Sequence, residues 1–286
     1  SPYIPMPEGR GFTVTFNKRG ISLPLFDIFL SKEGDILPIR SSEYFSYAGI
    51  NSKDLGIINV NITKGLLEEP FLANREIIEE SIPGRIKPYF KHLQYQPLEF
   101  TISGFFEEVL DETHLREIAR WLHQDYYQPL WFSDNPERIF YAMYVDDSTL
   151  VHNGQQGYFT LKFRCDSPYS YSTVYTTEII TDSICEIRNL GDLNLYPEVW
   201  IYKTGDGDFS IKNLTNNEKT TIFTDLVNNE IVYLNCETED IVSDISGVYR
   251  YSNYNQVPLE LILGKNDLEI SGGSVQFRFQ YIFLQG

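Results

Sequence analysis

The feature of this sequence that most constrains its fold is a regular alternation of short apolar runs and turn residues over Tyr196–Phe283. The turn signals are Asp206-Gly207, Asn216-Asn217 and Asn228-Asn229, and the runs between them are rich in β-branched and aromatic residues. Such dipeptides between apolar runs are the strongest short-range signal for β-hairpins. The pattern predicts an all-β domain that displays loops on a rigid sandwich, which favours a role in holding or recognising another molecule.

One clear helix is predicted, from Asp111 to about Gln124. Asp111 can accept backbone hydrogen bonds as an N-cap, and Glu112 lies in the first turn, where the helix dipole favours a negative charge. The apolar residues recur at i, i+3, i+4 and i+7 and form one stripe: Leu115, Ile118, Ala119 and Leu122. We expect this stripe to dock on a sheet.

The sequence predicts a mainly β protein with two domains and an N-terminal extension. Gly157–Cys165 alternates polar and apolar residues, which is typical of a half-buried strand. Residues 166–177 are rich in Ser, Tyr and Thr and are predicted to connect the domains. The predicted segments are a β-like arm (1–43), a sandwich-like sheet domain with the docked helix (44–168) and a β-sandwich (169–286).

Composition excludes several classes of function. With 23 basic and 40 acidic residues, the formal net charge is −17. This balance argues against a nucleic-acid binder, because phosphate contacts need clustered Lys and Arg. No apolar run approaches the roughly 20 residues of a membrane helix, and the start at Ser1 does not look like a secretory signal. Cys165, Cys185 and Cys236 form no CxxC pair, which predicts reduced thiols in a protein made in a cytoplasm.

The candidate catalytic and metal-binding groups are better explained as surface or turn residues. Gly205–Asp208 alternates Gly and Asp as a calcium loop would, but it lacks the later ligands, and Asp206-Gly207 is predicted to be a two-residue hairpin turn. The four histidines have no metal-ligand spacing, and no phosphate loop or nucleophile elbow occurs. The acidic pairs are interpreted as surface charge: Glu68-Glu69, Asp134 with Glu137, and Asp146-Asp147. The sequence therefore predicts no catalytic residues, no cofactor and no metal.

The tryptophans are the remaining candidates for a binding site, because indole rings can stack on sugars. Trp121 is expected in the core with the helix, and Trp131 lies in an aromatic strand. Trp200 lies between Val199 and Ile201 in a strand whose exposed face the sequence does not assign. We predict Trp200 as a possible carbohydrate contact.

Several segments carry a resemblance when they are taken in order. Phe45–Ile57 contains an opening strand and an Asp-Leu-Gly turn, Ser81–Arg85 a Pro-Gly-Arg turn, and Tyr95–Ile102 a Tyr–x–Pro strand. The others follow along the chain: the helix with Trp121-Leu122, then Tyr141–Tyr144, Gly157–Cys165, Tyr196-Pro197, Leu234–Glu237 and Leu263–Ile270. The ordered set resembles the distal tail proteins of long-tailed bacteriophages, which are baseplate hubs at the end of the tail tube.

The resemblance implies an N-terminal domain that assembles into a hexameric ring and a C-terminal galectin-like, jelly-roll sandwich that points outward. It implies three kinds of partner besides the chain itself: the tail tube protein, a tail-tip protein, and peripheral or receptor-binding proteins. It also implies a place in the virion after synthesis in the host cytoplasm. The family has no catalytic residues, so none are carried over.

Residues 1–43 fall outside this common pattern. Identical subunits form a ring through a head-to-tail contact, and free strand edges can make such contacts. We therefore expect the arm to add strands to a neighbouring subunit. Two alternatives stay open: a carbohydrate-binding module or host-adhesion protein, and a glycoside hydrolase, which would need two carboxylates roughly 5–10 Å apart.

Overall fold

The computed structural model describes residues 42–59, 72–106, 111–152 and 157–284, so the predicted arm before residue 42 and the Glu68-Glu69 pair lie outside the described residues. The elements before the connector, numbered in chain order, are β1 (Phe45–Tyr47), β2 (Ile50–Asn51), β3 (Ile57–Asn59), β4 (Arg75–Glu80), β5 (Tyr89–Tyr95), β6 (Glu99–Phe106), α1 (Glu112–Leu122), β7 (Gln128–Phe132), β8 (Asn135–His152) and β9 (Gly157–Cys165). Seven of these strands form one sheet in the order β2-β1-β7-β8-β9-β6-β3. The Asn59 N–H at the end of β3 donates a hydrogen bond to the Glu43 carbonyl at 2.8 Å, so β3 also contacts the segment that leads into β1.

An aromatic core fixes the helix on this sheet. Trp121 stacks on Phe45 with ring centroids 5.7 Å apart, and its Nε1 donates to the Tyr47 carbonyl at 2.7 Å. The Asp111 carboxylate accepts from the His114 N–H at 2.7 Å, so the predicted N-cap is confirmed. The predicted stripe was wrong at Ala119, which is exposed, because the docked face centres on Ile118 and the much larger Trp121.

The strand predicted at Gly157–Cys165 is confirmed as β9. Alternate residues along it, including Phe159, Phe163 and Cys165, are buried, and the intervening residues are exposed or half-buried. The prediction succeeds here because one face of the strand packs on the core and the other faces solvent.

Most of the remaining chain forms a two-sheet sandwich, and the mainly β prediction is confirmed. The remaining strands are β10 (Ser170–Tyr171), β11 (Tyr175–Thr176), β12 (Ile184–Asn189), β13 (Glu198–Lys203), β14 (Gly207–Asn213), β15 (Lys219–Leu226), β16 (Ile231–Asn235), β17 (Ile241–Ser243), β18 (Gly264–Ser271), β19 (Gly273–Phe279) and β20 (Ile282–Phe283), and all of them except β10 and β20 lie in the sandwich. One sheet has the order β11-β19-β13-β16-β17, and the other has the order β12-β18-β14-β15. Their inner faces share a single core that includes Val199, Phe209, Phe223 and Phe277.

Two of the three predicted hairpin turns were wrong. Asn216-Asn217 does join the paired strands β14 and β15. Asp206-Gly207 instead carries the chain from β13 in one sheet to β14 in the other, and Asn228-Asn229 carries it back from β15 to β16. The dipeptides indicate a backbone with positive φ, which is 113° at Gly207 and 65° at Asn229. They do not indicate which strands will pair on either side of the turn.

The connector predicted at residues 166–177 contains β10, which is paired on both sides. Tyr171 pairs with Ile139 of β8, and Ser170 pairs with Phe283 of β20, so β10 joins the first sheet to the end of the sandwich. The Tyr141 hydroxyl also donates to Gln280 Oε1 at 2.9 Å. These contacts join the two cores through backbone and side-chain hydrogen bonds.

Candidate assembly and binding surfaces

The β4–β5 hairpin, residues 75–95, is an exposed two-stranded sheet. Its strands pair only with each other among the described residues, and none of its side chains is buried. The Pro-Gly-Arg turn predicted at its tip is confirmed: Gly84 has a φ of 87°, and the Arg85 N–H donates to the Ile82 carbonyl at 3.1 Å. Large apolar side chains are exposed along it: Ile77, Ile82, Ile86, Tyr89, Phe90 and Tyr95. Phe90 is 63% exposed and Ile86 is completely exposed, which is unusual for such side chains in a soluble fold.

The charge of this hairpin also differs from that of the chain. Residues 81–90 contain Arg85 and Lys87 but no Asp or Glu, in a chain whose net charge is −17. The Arg85 guanidinium lies 3.7 Å from the centre of the Tyr89 ring, and Lys91 pairs with Glu80 at 2.7 Å. The tip is therefore a basic and apolar surface on an acidic protein.

Trp200 lies on the outer face of the five-stranded sheet. Its neighbours in sequence, Val199 and Ile201, are fully buried, so the side chain of Trp200 points away from the sandwich core. The Tyr233 ring lies 5.0 Å from it, and the Arg278 guanidinium lies 5.4 Å from its centre. The indole is half-buried among these side chains and is not a bare platform.

A groove of about 620 Å³ lies beside this face, between the connector and the sandwich. Tyr141, Ser167, Tyr169 and Tyr171 line one side, and the sandwich contributes residues such as Tyr196, Glu198, Glu237 and Arg278. Glu198 and Arg278 form a two-pronged ion pair, with Nε to Oε2 at 2.6 Å and Nη2 to Oε1 at 2.9 Å. Sequence reasoning missed this groove, because its tyrosines are scattered over 55 positions and share no spacing.

The carboxylates considered at the sequence level are spread over the molecule. Asp134 and Glu137 are exposed at the turn between β7 and β8. Asp146-Asp147 was expected in a turn or a charged patch, but its backbone lies within β8, where the register with β9 shifts between Val145 and Thr149. Among the described residues, no three His, Cys, Asp or Glu side chains converge as a metal site would require.

The two aspartates of Gly205–Asp208 hold loops together. Asp206 Oδ1 accepts from the Asn228 N–H at 2.8 Å, and Asp208 Oδ1 accepts from the Asp225 N–H at 3.2 Å. Asn228 Oδ1 in turn accepts from the Gly205 N–H at 2.7 Å. These bonds join the two crossings between the sheets, which gives the acidic residues a structural role.

The cysteines are free thiols with perturbed pKa values. Burial raises the pKa of Cys165 to about 12, that of Cys236 to about 12 and that of Cys185 to about 11. At neutral pH they are protonated, and a thiol is a poor nucleophile compared with a thiolate.

A buried ion pair between Glu230 and Arg250 lies beside the Asn228-Asn229 crossing between the two sheets of the sandwich. Glu230 Oε1 accepts from Arg250 Nε at 2.8 Å and from Ser243 Oγ at 2.7 Å, while Oε2 accepts from Arg250 Nη2 at 2.7 Å and from the Val227 N–H at 3.0 Å. Burial alone would raise the pKa of Glu230, but these hydrogen bonds outweigh it and lower the pKa below its ordinary value. The carboxylate is therefore charged and fully bonded inside the fold.

No helix in the described ranges combines the length and the apolar character needed to cross a membrane.

Comparisons with known proteins identify two adjoining matches. A family described as a phage tail protein N-terminal domain matches residues 40–167, and one described as a phage tail C-terminal domain matches residues 168–281. An uncharacterized protein derived from the SPbeta prophage of Bacillus subtilis, YomH, is 35% identical over 252 residues, which cover 86% of this chain and 100% of that protein.

One solved structure shows the same fold. The SPP1 Dit protein, described as a paradigm of the hub adsorption apparatus in phages that infect Gram-positive bacteria, superposes with a TM-score of 0.64 at 20% identity. The alignment covers 84% of this chain and 99% of that one. A chain of the phage P2 baseplate aligns with a TM-score of 0.45 at 9% identity, over 73% of this chain and 87% of that one. The SPP1 match confirms at the level of fold the resemblance to distal tail proteins.

Proposed function

This chain belongs to a family of phage tail proteins, and we propose that it is a baseplate hub that forms a hexameric ring at the distal end of the tail tube. The observation that carries the proposal is the β4–β5 hairpin, which exposes apolar side chains and a basic tip on an acidic chain. The SPP1 relative in fold is itself described as a hub. The exposed surface of the hairpin and the membership of the phage tail family together support the proposed ring.

The hairpin suits a head-to-tail contact between identical subunits. Such a contact joins two different surfaces of the same chain. A basic tip supplies one surface, and a chain with 17 more acidic than basic residues offers complementary charge for the other. Burying Ile77 and Phe90 against a neighbour would add roughly 1.5–3 kcal/mol per side chain. An isolated two-stranded hairpin is marginally stable, so a partner would also stabilise its conformation.

We further propose a division of labour between the two domains. Residues 44–168 would form the ring and contact the tail tube protein and a tail-tip protein. Residues 169–286, a galectin-like sandwich, would point outward and anchor peripheral or receptor-binding proteins. The hydrogen bonds that join the two cores through β10 would hold the outer domain at a fixed angle to the ring.

The protein would act without catalysis, as a structural component of the virion tail that is made in the host cytoplasm. Protonated thiols and carboxylates engaged in loop contacts support a structural role. The N-terminal arm, residues 1–43, would add strands to a neighbouring subunit. Deletion of the arm should then reduce the fraction of rings, and native mass spectrometry that finds an unchanged hexamer would contradict this part of the proposal.

Particle mass and symmetry test the ring directly. We expect light scattering and negative-stain imaging of the full chain, or of tails that contain it, to show a six-fold ring. The double substitution Ile77→Ser with Phe90→Ser should shift the chain towards monomer and leave the melting temperature of the dilute monomer unchanged, because both side chains are exposed in one chain. As a control, Tyr249→Ser removes another exposed aromatic side chain from the sandwich. A different symmetry, or a chain absent from the tail tip, would contradict the proposal.

We propose a carbohydrate contact at Trp200 as a second candidate, and the position of this indole on the outer face of a sheet supports it. The test compares glycan binding by the Trp200→Ala variant with glycan binding by the unchanged chain. Loss of binding with an unchanged melting temperature would support a sugar site at the indole, whereas unchanged binding would remove it.

A further inference from the structure

The groove between the connector and the sandwich has walls that are already organised by the chain itself. The Tyr171 hydroxyl donates to Ser167 Oγ at 2.9 Å, and the Tyr141 hydroxyl donates to Gln280 Oε1 at 2.9 Å. Gln280 Nε2 also donates to the Ser172 carbonyl at 2.6 Å. Since these side chains are held in place before any ligand arrives, binding would lose little side-chain entropy.

The size of the groove and its mixture of aromatic and polar groups indicate a small polar ligand. Its volume of about 620 Å³ falls within the roughly 300–1,000 Å³ that is typical of small-molecule sites. Tyr169 and Tyr196 add aromatic rings to the lining, and Asn235 and Glu237 add an amide and a carboxylate. Aromatic faces attract C–H groups, and these polar side chains include both donors and acceptors.

The charge of the groove argues against an anionic ligand. Arg278 is its only cationic residue among the described lining, and two nitrogens of its guanidinium are already bound to Glu198. The exposed carboxylate of Glu237 adds a second negative charge. A ligand with C–H faces, many hydroxyl groups and no charge fits this chemistry best.

We infer that this groove binds a neutral oligosaccharide, whose sugar rings stack on Tyr169 and Tyr196 and whose hydroxyl groups bond to the amide and carboxylate side chains. The groove, and not Trp200, would then be the saccharide site. All lining residues come from one chain, so the inference does not depend on the proposed ring, and binding can be measured whether or not the ring forms.

Saturation-transfer NMR on the full chain tests the inference with three neutral probes: maltotriose, cellotriose and tri-N-acetylchitotriose. Trigalacturonic acid serves as the anionic counterpart. We expect at least one neutral probe to bind, and Tyr169→Ala and Tyr196→Ala each to weaken its affinity about tenfold. Tyr196→Phe keeps the ring and should retain binding, and Tyr249→Ala is a matched control outside the groove.

Each outcome bears on the site. Loss of binding in both groove variants at an unchanged melting temperature, with Trp200→Ala unaffected, would support it. Binding of none of the neutral probes would overturn it, as would preferential binding of trigalacturonic acid. Binding that is lost in Trp200→Ala and retained in both groove variants would also overturn it.

Discussion

The sandwich and the β4–β5 hairpin are both antiparallel β-structure rich in apolar side chains, but these side chains have opposite environments. In the sandwich, Phe209 and Phe277 are fully buried between two sheets. In the hairpin, Phe90 is 63% exposed and no residue is buried. The sandwich thus has its own core within one chain, whereas the apolar surface of the hairpin is available to another molecule. Local β-pattern alone does not distinguish these cases.

The largest expected difference between the two regions comes from removing a phenylalanine. Phe209→Ala should lower the free energy of unfolding by about 3–5 kcal/mol, because it leaves a cavity between packed sheets. Phe90→Ala should change it by less than about 0.5 kcal/mol, because the ring is exposed in one chain. Urea unfolding of dilute monomer measures both. Similar losses in the two variants would mean that the hairpin packs on its own chain.

An ion pair in each region provides the next comparison. Glu230→Gln should cost about 2–4 kcal/mol at pH 7, because it leaves the Arg250 charge buried without a counter-ion. Glu80→Gln breaks the exposed pair with Lys91 and should cost less than about 1 kcal/mol. Thermal unfolding at pH 7 measures both effects.

The Glu230 effect should depend on pH. Its pKa is lowered in the folded state, so its contribution is fully present above the unfolded value of about 4.3 and is lost as the pH falls through the folded value. The gap between wild type and Glu230→Gln should therefore narrow in acid below about pH 4. A gap that widened there would contradict the lowered pKa.

Two glycines with the same backbone angle give a smaller contrast. Gly272 and Gly84 both have a φ of 87°, which is unfavourable for L side chains. A Cβ at Gly272 would lie 2.3 Å from the Asp208 carbonyl oxygen, whereas a Cβ at Gly84 would meet nothing within 4 Å. We expect Gly272→Ala to cost about 3 kcal/mol through strain and steric clash, measured by thermal unfolding.

Gly84→Ala should cost only about 1 kcal/mol, and the cost should be confined to the hairpin. Hydrogen exchange should show faster exchange of the hairpin amides and unchanged protection of the sandwich. Loss of protection throughout the sandwich would show that the hairpin and the sandwich unfold together.

The smallest effect concerns the basic tip of the hairpin. Lys87→Glu should weaken ring formation by less than about 1 kcal/mol per contact, and the effect should fade at high salt as exposed charges are screened. Lys265→Glu makes the same change on the sandwich, where Lys265 pairs with Asp267 at 3.0 Å, and should leave the ring intact. Mass photometry at low and high salt measures the fraction of rings. Equal effects of the two substitutions would argue against a specific contact at the tip.

The predictions from sequence succeeded where the structure depends on residues that are close together in the chain. The alternation of β9 and the N-cap at Asp111 depend on neighbours close in sequence, and both are confirmed. The turn dipeptides were recognised as turns, but the pairing of the strands on either side of them was not predicted correctly. The pairing of β13 with β16 and β19 depends on packing between residues that are far apart in sequence.

The candidate surfaces were harder to predict for the same reason. The exposure of Phe90 depends on the absence of any described element packed over it, which its local sequence does not reveal. The groove brings Tyr141 and Tyr196 together across two domains. Trp200 was predicted as a possible contact, but its sheet face could be assigned only from the structure.

The pairing of β10 between β8 and β20 also sets an order of events during synthesis. β8 and β10 are translated before the strands of the sandwich, but β20 is translated after every other described strand. The sheet domain can therefore form its core while the sandwich is still being made, and β10 gains its second neighbour only with the final residues of β20. A chain that ended before Ile282 would keep the buried residues of both cores and lack the pairing of β10 with β20 that links them.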